Sequence, residues 1–224
     1  YNYRNESAKL FEIGRVYIPT GDVLPDEKAV ITLGMYGEKY DFYDIKGACE
    51  AIISKMNIKK PAFAACRDNG TYHPGRTADI FACGEKIGTV GQIHPTVAER
   101  YGLDKPVYVA EISLEGVIAH STADVKYKQL PKFPAATRDI AMLVDADVPV
   151  AELEKMIVKN GGGLLESVNL FDVYMGKQIP DGKKSVAYSV VFRAADRSLT
   201  ADEVNAVFDK ILSGLEKNVG AQLR

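Results

Sequence analysis

Between Pro131 and Arg224 the chain switches twice from a two-residue to a helical period, and this constrains the fold more than any other feature of its 224 residues. Residues 137–144 read as a strand. Residues 150–160 repeat at helical spacing, with Val150, Leu153, Ile157 and Val158 on one side. Gly161, Gly162 and Gly163 stop that helix. Residues 165–174 and 185–194 are strands again, joined by a polar loop carrying Pro180 and Gly182. Thr200-Ala201-Asp202-Glu203 is a capping box opening a helix to about Asn218, with a stripe of Val204, Val207, Phe208, Ile211, Leu212 and Leu215. Gln222-Leu223-Arg224 leaves room for a brief edge strand. The pattern is β-α-β-β-α with a short final strand: one sheet with two helices.

The first half is a different α+β arrangement. Strands are expected over residues 10–18, 29–36, 61–66, 78–83, 86–93 and 107–112, with a hairpin around Gly84-Glu85. A helix follows Asp44 as N-cap, carrying Ile45, Ala48, Ile52, Ile53 and Met56. Shorter helices are expected after His94-Pro95-Thr96 and at residues 114–118. This makes a mixed, mostly antiparallel sheet with at least one covering helix. The polar stretch 120–128, followed by Pro131 and Pro134, divides the chain into domains 1–127 and 128–224.

Charge excludes a general polyanion binder. Residues 1–127 carry 15 Lys/Arg against 17 Asp/Glu, and residues 128–224 carry 13 against 13. Any nucleic-acid contact must come from local placement. Cys49, Cys66 and Cys83 form no C-x-x-C pair, and their odd number fits a reducing cytoplasm. No apolar run approaches the roughly 20 residues of a membrane helix, and neither a membrane nor DNA is expected as a partner. The three histidines do not make a metal set by spacing. The opening on Tyr1, without Met, reads as a fragment of something longer.

Specific motifs carry a resemblance. Leu10-Phe11-Glu12-Ile13-Gly14-Arg15-Val16, Asp41-Phe42-Tyr43-Asp44-Ile45-Lys46-Gly47, His73-Pro74-Gly75-Arg76-Thr77-Ala78 and Gly88-Thr89-Val90-Gly91-Gln92-Ile93-His94-Pro95 occur in that order. Pro131-Lys132-Phe133-Pro134-Ala135-Ala136-Thr137-Arg138-Asp139-Ile140, the arm Glu166 through Tyr174, and Arg193-Ala194-Ala195-Asp196-Arg197-Ser198-Leu199-Thr200 follow them. Together they resemble the C-terminal part of the bacterial phenylalanyl-tRNA synthetase β subunit. The resemblance implies a non-catalytic class II synthetase-like module over 1–127. It also implies a ferredoxin-like βαββαβ anticodon-binding domain over 128–224. The family works as an α2β2 tetramer that joins phenylalanine to tRNA(Phe) with ATP and Mg²⁺ in the α subunit. By that resemblance this chain is scaffold, α-subunit interface and anticodon grip in the cytoplasm. It is expected to be inactive alone, with no catalytic residue, metal or cofactor of its own. No paired carboxylates are set for metal here, and Arg15 reads as a surface or interface arginine rather than a phosphate ligand. His73-Pro74-Gly75-Arg76 reads first as a tight turn and second as an anion loop.

In such a sandwich one sheet face packs on helices and the other is free. Asp172 and Tyr174 are two apart and share a face, with Leu170 expected in the same alternation class and Ser185 within reach across the hairpin. A phenol stacks on an unpaired base, and a carboxylate accepts from N1–H and N2–H of guanine, which begins phenylalanine anticodons. The resemblance places anticodon recognition on these same positions. Arg138, Lys183, Lys184, Arg193 and Arg197 are candidates for phosphate contacts, or for ion pairs within the domain. Two further readings remain open. One is a ferredoxin-like regulatory module binding a small amino acid. The other is an enzyme using the His73–Arg76 region, against which the missing nucleophile–base constellation counts.

Overall fold

A computed structural model describes residues 5–124, 127 and 129–223. Tyr1, Val125, Lys126 and Lys128, the last three in the predicted polar boundary, lie outside the described residues, as does Arg224 of the expected last strand. The chain forms two compact units, Tyr1–Lys126 and Tyr127–Arg224.

The first unit comprises β1 (Ala8–Ile18), β2 (Asp26–Tyr36), α1 (Phe42–Lys55), β3 (Pro61–Ala65), β4 (Tyr72–Ala82), β5 (Glu85–Ile93), α2 (Pro95–Arg100), β6 (Val107–Ser113) and α3 (Leu114–His120). Its sheet runs β1-β2-β6-β5-β4-β3, and every ladder is antiparallel. One face carries the core: Ile31 and Met35 of β2, Ile80 of β4, Val90 of β5 and Ile112 of β6 pack with Ile45, Cys49 and Ile53 of α1 and Val117 of α3. The N-cap of α1 is Asp41, not Asp44. Asp41 accepts from the N–H groups of Tyr43 and Asp44, while the Asp44 carboxylate accepts from the Asp41 N–H at 2.8 Å. Two acidic residues three apart fill both ends of a capping box, so the helix opens one turn earlier. Burial pushes the Cys49 thiol up to about 12, which leaves it an inert core side chain.

The second unit comprises β7 (Ala136–Asp145), α4 (Val150–Gly161), a 3₁₀ turn (Gly162–Leu164), β8 (Leu165–Tyr174), β9 (Lys183–Phe192), α5 (Ala201–Val219) and β10 (Gln222–Leu223). Strand order β10-β7-β9-β8 puts the first and third long strands at the centre, the arrangement of a ferredoxin-like α+β sandwich. Thr200 accepts from the Glu203 N–H and Glu203 accepts from the Thr200 N–H, so the capping box is complete. Gly220, at φ 62°, closes α5 in the left-handed region. Both helices cover the face formed by Ile140, Met142, Val186, Tyr188, Val190 and Phe192. Val158, expected on the buried stripe of α4, is 54% exposed, because the face turned to the core is that of Val150, Leu153, Met156 and Ile157.

Candidate nucleic-acid interface

Cross-strand register assigns each side chain of the second unit to a face. On β9 the helix-facing set is Val186, Tyr188, Val190 and Phe192, all buried. Ser185, Ala187, Ser189 and Val191 therefore point to the other side. On β8 their partners are Tyr174, Asp172, Asn169 and Ser167, respectively. This row is polar, and no helix of the unit packs on it. Leu170 departs from expectation: it pairs with Tyr188, on the helix side. The cause is a register shift between Leu170 and Asp172, where one extra residue, Phe171, enters the strand. Such a bulge flips the alternation class of everything beyond it. The open face is accordingly more polar than uninterrupted alternation predicts.

Ser185 stands directly opposite Tyr174 on one side and Leu143 on the other. Residues so paired hold their Cβ atoms about 4.5–5.5 Å apart. Ser185 is only 8% exposed between these neighbours, whereas Asp172 is exposed and Tyr174 is 43% exposed. Among the described residues none of the three side chains has a hydrogen-bond partner, and none of their polar atoms is fully enclosed. The exposed carboxylate and phenol can therefore exchange solvent for a ligand.

The five basic candidates contrast with this trio. Lys183 pairs with Asp145 at 2.8 Å, and Arg197 with Glu203 at 2.5 Å. Arg193 donates from Nε to Glu166 at 2.7 Å and from Nη1 to the carbonyl of Phe133, tying the domain entry to the sheet. Arg138 pairs with Val190, on the helix side, and donates to the carbonyl of Thr137 at 3.1 Å. Lys184 is buried; its Nζ donates to the carbonyls of Ala146 at 3.0 Å and Val148 at 2.5 Å, and burial holds its pKa below the usual lysine range. Lys184 thus clamps the turn between β7 and α4, a role its sequence neighbours do not reveal. Lys177, exposed and without an ion pair among the described residues, lies three positions after Tyr174; sequence reasoning passed over it.

In the first unit His73–Arg76 is not a turn ahead of a strand but part of β4 itself, at the register shift between Tyr72 and Thr77. The Gly75 N–H donates to His73 Nδ1 at 3.0 Å, the Thr77 hydroxyl to the His73 carbonyl at 2.6 Å, and Arg76 to Gln92 Oε1 at 2.6 Å. Arg15 is held by Glu27 at 2.8 Å. Among the described residues no three His, Cys, Asp or Glu side chains are grouped as a metal ion requires.

Two family descriptions match separate parts of the chain. Residues 1–114 match the family described as "Phenylalanyl tRNA synthetase beta chain CLM domain", and residues 131–224 match "Ferredoxin-fold anticodon binding domain". The phenylalanine–tRNA ligase β subunit of Clostridium tetani is 48% identical over 226 residues, covering 100% of this chain and 28% of that protein. The Clostridium acetobutylicum β subunit is 46% identical over the same span, and that of Symbiobacterium thermophilum is 38% identical over 235 residues, 26% of its length. The chain therefore spans under a third of the length of the curated relatives it matches. A solved pyrrolysyl-tRNA synthetase from Desulfitobacterium hafniense overlays 49% of the chain at a TM-score of 0.40 and 14% identity, too partial a likeness to carry weight. On the family match over its first half, the chain belongs to the phenylalanyl-tRNA synthetase β chain family.

Proposed function

We propose that this chain is the part of a phenylalanine–tRNA ligase β subunit that reads the first anticodon base of tRNA(Phe). One observation carries the reading: Asp172, Tyr174 and Ser185 share an open sheet face, and all three are without hydrogen-bond partners among the described residues. Bases of single-stranded loops are splayed out, stacked on aromatic rings and read along their Watson–Crick edges. Tyr174 stacks on the guanine, Asp172 accepts from its N1–H and N2–H, and the Ser185 hydroxyl adds one bond. Residues 128–224 are the anticodon-binding domain. Residues 1–127 are a non-catalytic module serving as scaffold and contact for the α subunit in a cytoplasmic α2β2 assembly. The ATP- and Mg²⁺-dependent chemistry belongs to the α subunit.

Phosphate contact plays a smaller part than the basic composition suggests. Of the proposed set, Lys183, Arg193 and Arg197 would have to exchange a carboxylate for a phosphate, and Arg138 and Lys184 a carbonyl. The test is titration with phenylalanine anticodon stem-loops carrying G or A at the first position. The G form binds more tightly, and Tyr174→Ala weakens it by about 1–3 kcal/mol, roughly 5- to 140-fold. Unchanged affinity in a folded Tyr174→Ala chain would refute the assignment.

A further inference from the structure

Tyr174 has a seat, and the residue that makes it is a glycine two positions on. A β-carbon built on Gly176 would lie 2.2 Å from the Tyr174 hydroxyl oxygen, 2.4 Å from Cζ and 3.0 Å from Cε1. The phenol occupies the space that any side chain at position 176 would fill. Backbone conformation does not explain the glycine, because Gly176 is not among the positive-φ residues. Nor is its position loose: its carbonyl accepts from the Ile179 N–H at 2.8 Å, and Ile179 is buried. The seat is therefore anchored main chain, and a ring resting on it is braced from that side.

We infer that Gly176 is a positioning residue for anticodon recognition: by having no side chain, it lets the Tyr174 ring lie back on the hairpin exit and hold one pose before RNA arrives. The inference rests on the reading of Tyr174 as the base platform. A stacking platform that is already ordered loses less side-chain freedom on binding than one that must be ordered by its ligand. A methyl at 176 cannot coexist with the observed ring position, since real β-carbon contacts under 3.0 Å essentially do not occur. The phenol end of the ring, the free end of a flexible side chain, must then shift, and the base meets a platform no longer held in that one pose. Asp172 and Ser185 keep their places on the sheet, so some preference for guanine survives.

The test is a double-mutant cycle read by binding of the phenylalanine anticodon stem-loop to this chain, repeated with the assembled ligase. Gly176→Ala is expected to weaken binding measurably, but by less than the roughly 5- to 140-fold of Tyr174→Ala, because the displaced ring can still stack. The double variant is expected to bind no more weakly than Tyr174→Ala alone, because both changes act on one interaction. A Gly176→Ala chain that binds like the parent, or losses that multiply in the double variant, overturns the inference. A second readout is independent of RNA. A ring lying over Gly176 shifts its α-proton NMR resonances, and Tyr174→Leu should return them to ordinary positions. Unshifted α-protons in the parent chain overturn the seat itself. If Tyr174→Ala leaves RNA affinity unchanged while the α-proton shift is present, the base-platform reading fails and the seat stands. This separates the two claims.

Discussion

The two units present opposite kinds of sheet to their surroundings. In the first, β1 is an edge strand of 11 residues, and Leu10, Phe11, Ile13, Val16, Tyr17 and Ile18 are all exposed along it. Successive residues of a strand point to opposite faces, so β1 is apolar on both. Its one arginine is already engaged by Glu27. In the second unit β8 is also an edge, but its open face carries Ser167, Asn169, Asp172 and Tyr174. The edge is further interrupted by bulges near Glu166 and Phe171. A long regular apolar edge is a template for strand addition, whereas bulges blunt the β8 edge, although Leu170, Phe171 and Val173 are exposed on it.

The largest expected effect tests whether the polar face rests on a firm foundation. Phe192 is fully buried on the helix side of β9, in the same strand as Ser185. Phe192→Ala removes a ring from a closed core and should cost about 3–5 kcal/mol, read by urea unfolding. A loss under about 1 kcal/mol would mean that the sheet bearing the trio is not held by this core, and the contrast between its two faces would collapse.

A smaller effect distinguishes the units by pH. Burial pushes the Asp79 carboxyl up, but the Lys86 ammonium at 2.8 Å, the Thr89 hydroxyl at 2.9 Å and the Cys66 thiol together hold it below its ordinary range. The Thr200 N–H, the Thr200 hydroxyl and Arg197 likewise hold Glu203 low, at an exposed helix start. A carboxyl lowered by folding stabilises the protein at pH values above its unfolded pKa. That contribution disappears as pH falls through the folded value, below about pH 5. Asp79→Asn should therefore flatten the acid limb of the stability curve. Glu203→Gln should flatten it less, because its partners face water. Equal flattening by both would show that enclosure in the first sheet adds nothing.

Much of this was legible in the residues, and what was not has identifiable causes. The helices of the second unit were readable because Val204, Ile211 and Leu215 repeat at helical spacing behind a capping box. The pairing of Tyr174 with Ser185 follows from a hairpin whose strands are long and apolar on one side. The side of Leu170 was not readable, since an inserted residue changes register without changing composition. Lys184 reads as a surface cation, but its stem lies on the helix-facing side of β9, so its ammonium meets two carbonyls instead of water. The seat at Gly176 was hidden for a related reason: a glycine in a polar loop signals a turn, and only the placed ring shows that it signals space. That β1 is an edge could not be read either, because an apolar strand is usually a central one.

That last point yields the smallest expected change in stability and the cleanest separation of the two surfaces. Ile13 lies opposite Ile31, on the core side of the sheet, yet is 59% exposed. A charge placed there buries nothing and removes little packing. Ile13→Lys should shift the unfolding midpoint of this chain by no more than about 0.5 kcal/mol. Its effect should appear instead in self-association: an inward-facing lysine on an edge is one of the ways natural sheets discourage strand addition. Light scattering across a concentration series should show less aggregation for Ile13→Lys than for the parent, with anticodon stem-loop affinity unchanged. If the substitution destabilises the fold as strongly as a core change, β1 is already buried in this chain. The exposed apolar edge would then be no contact surface, and the contrast with the open polar face would be lost.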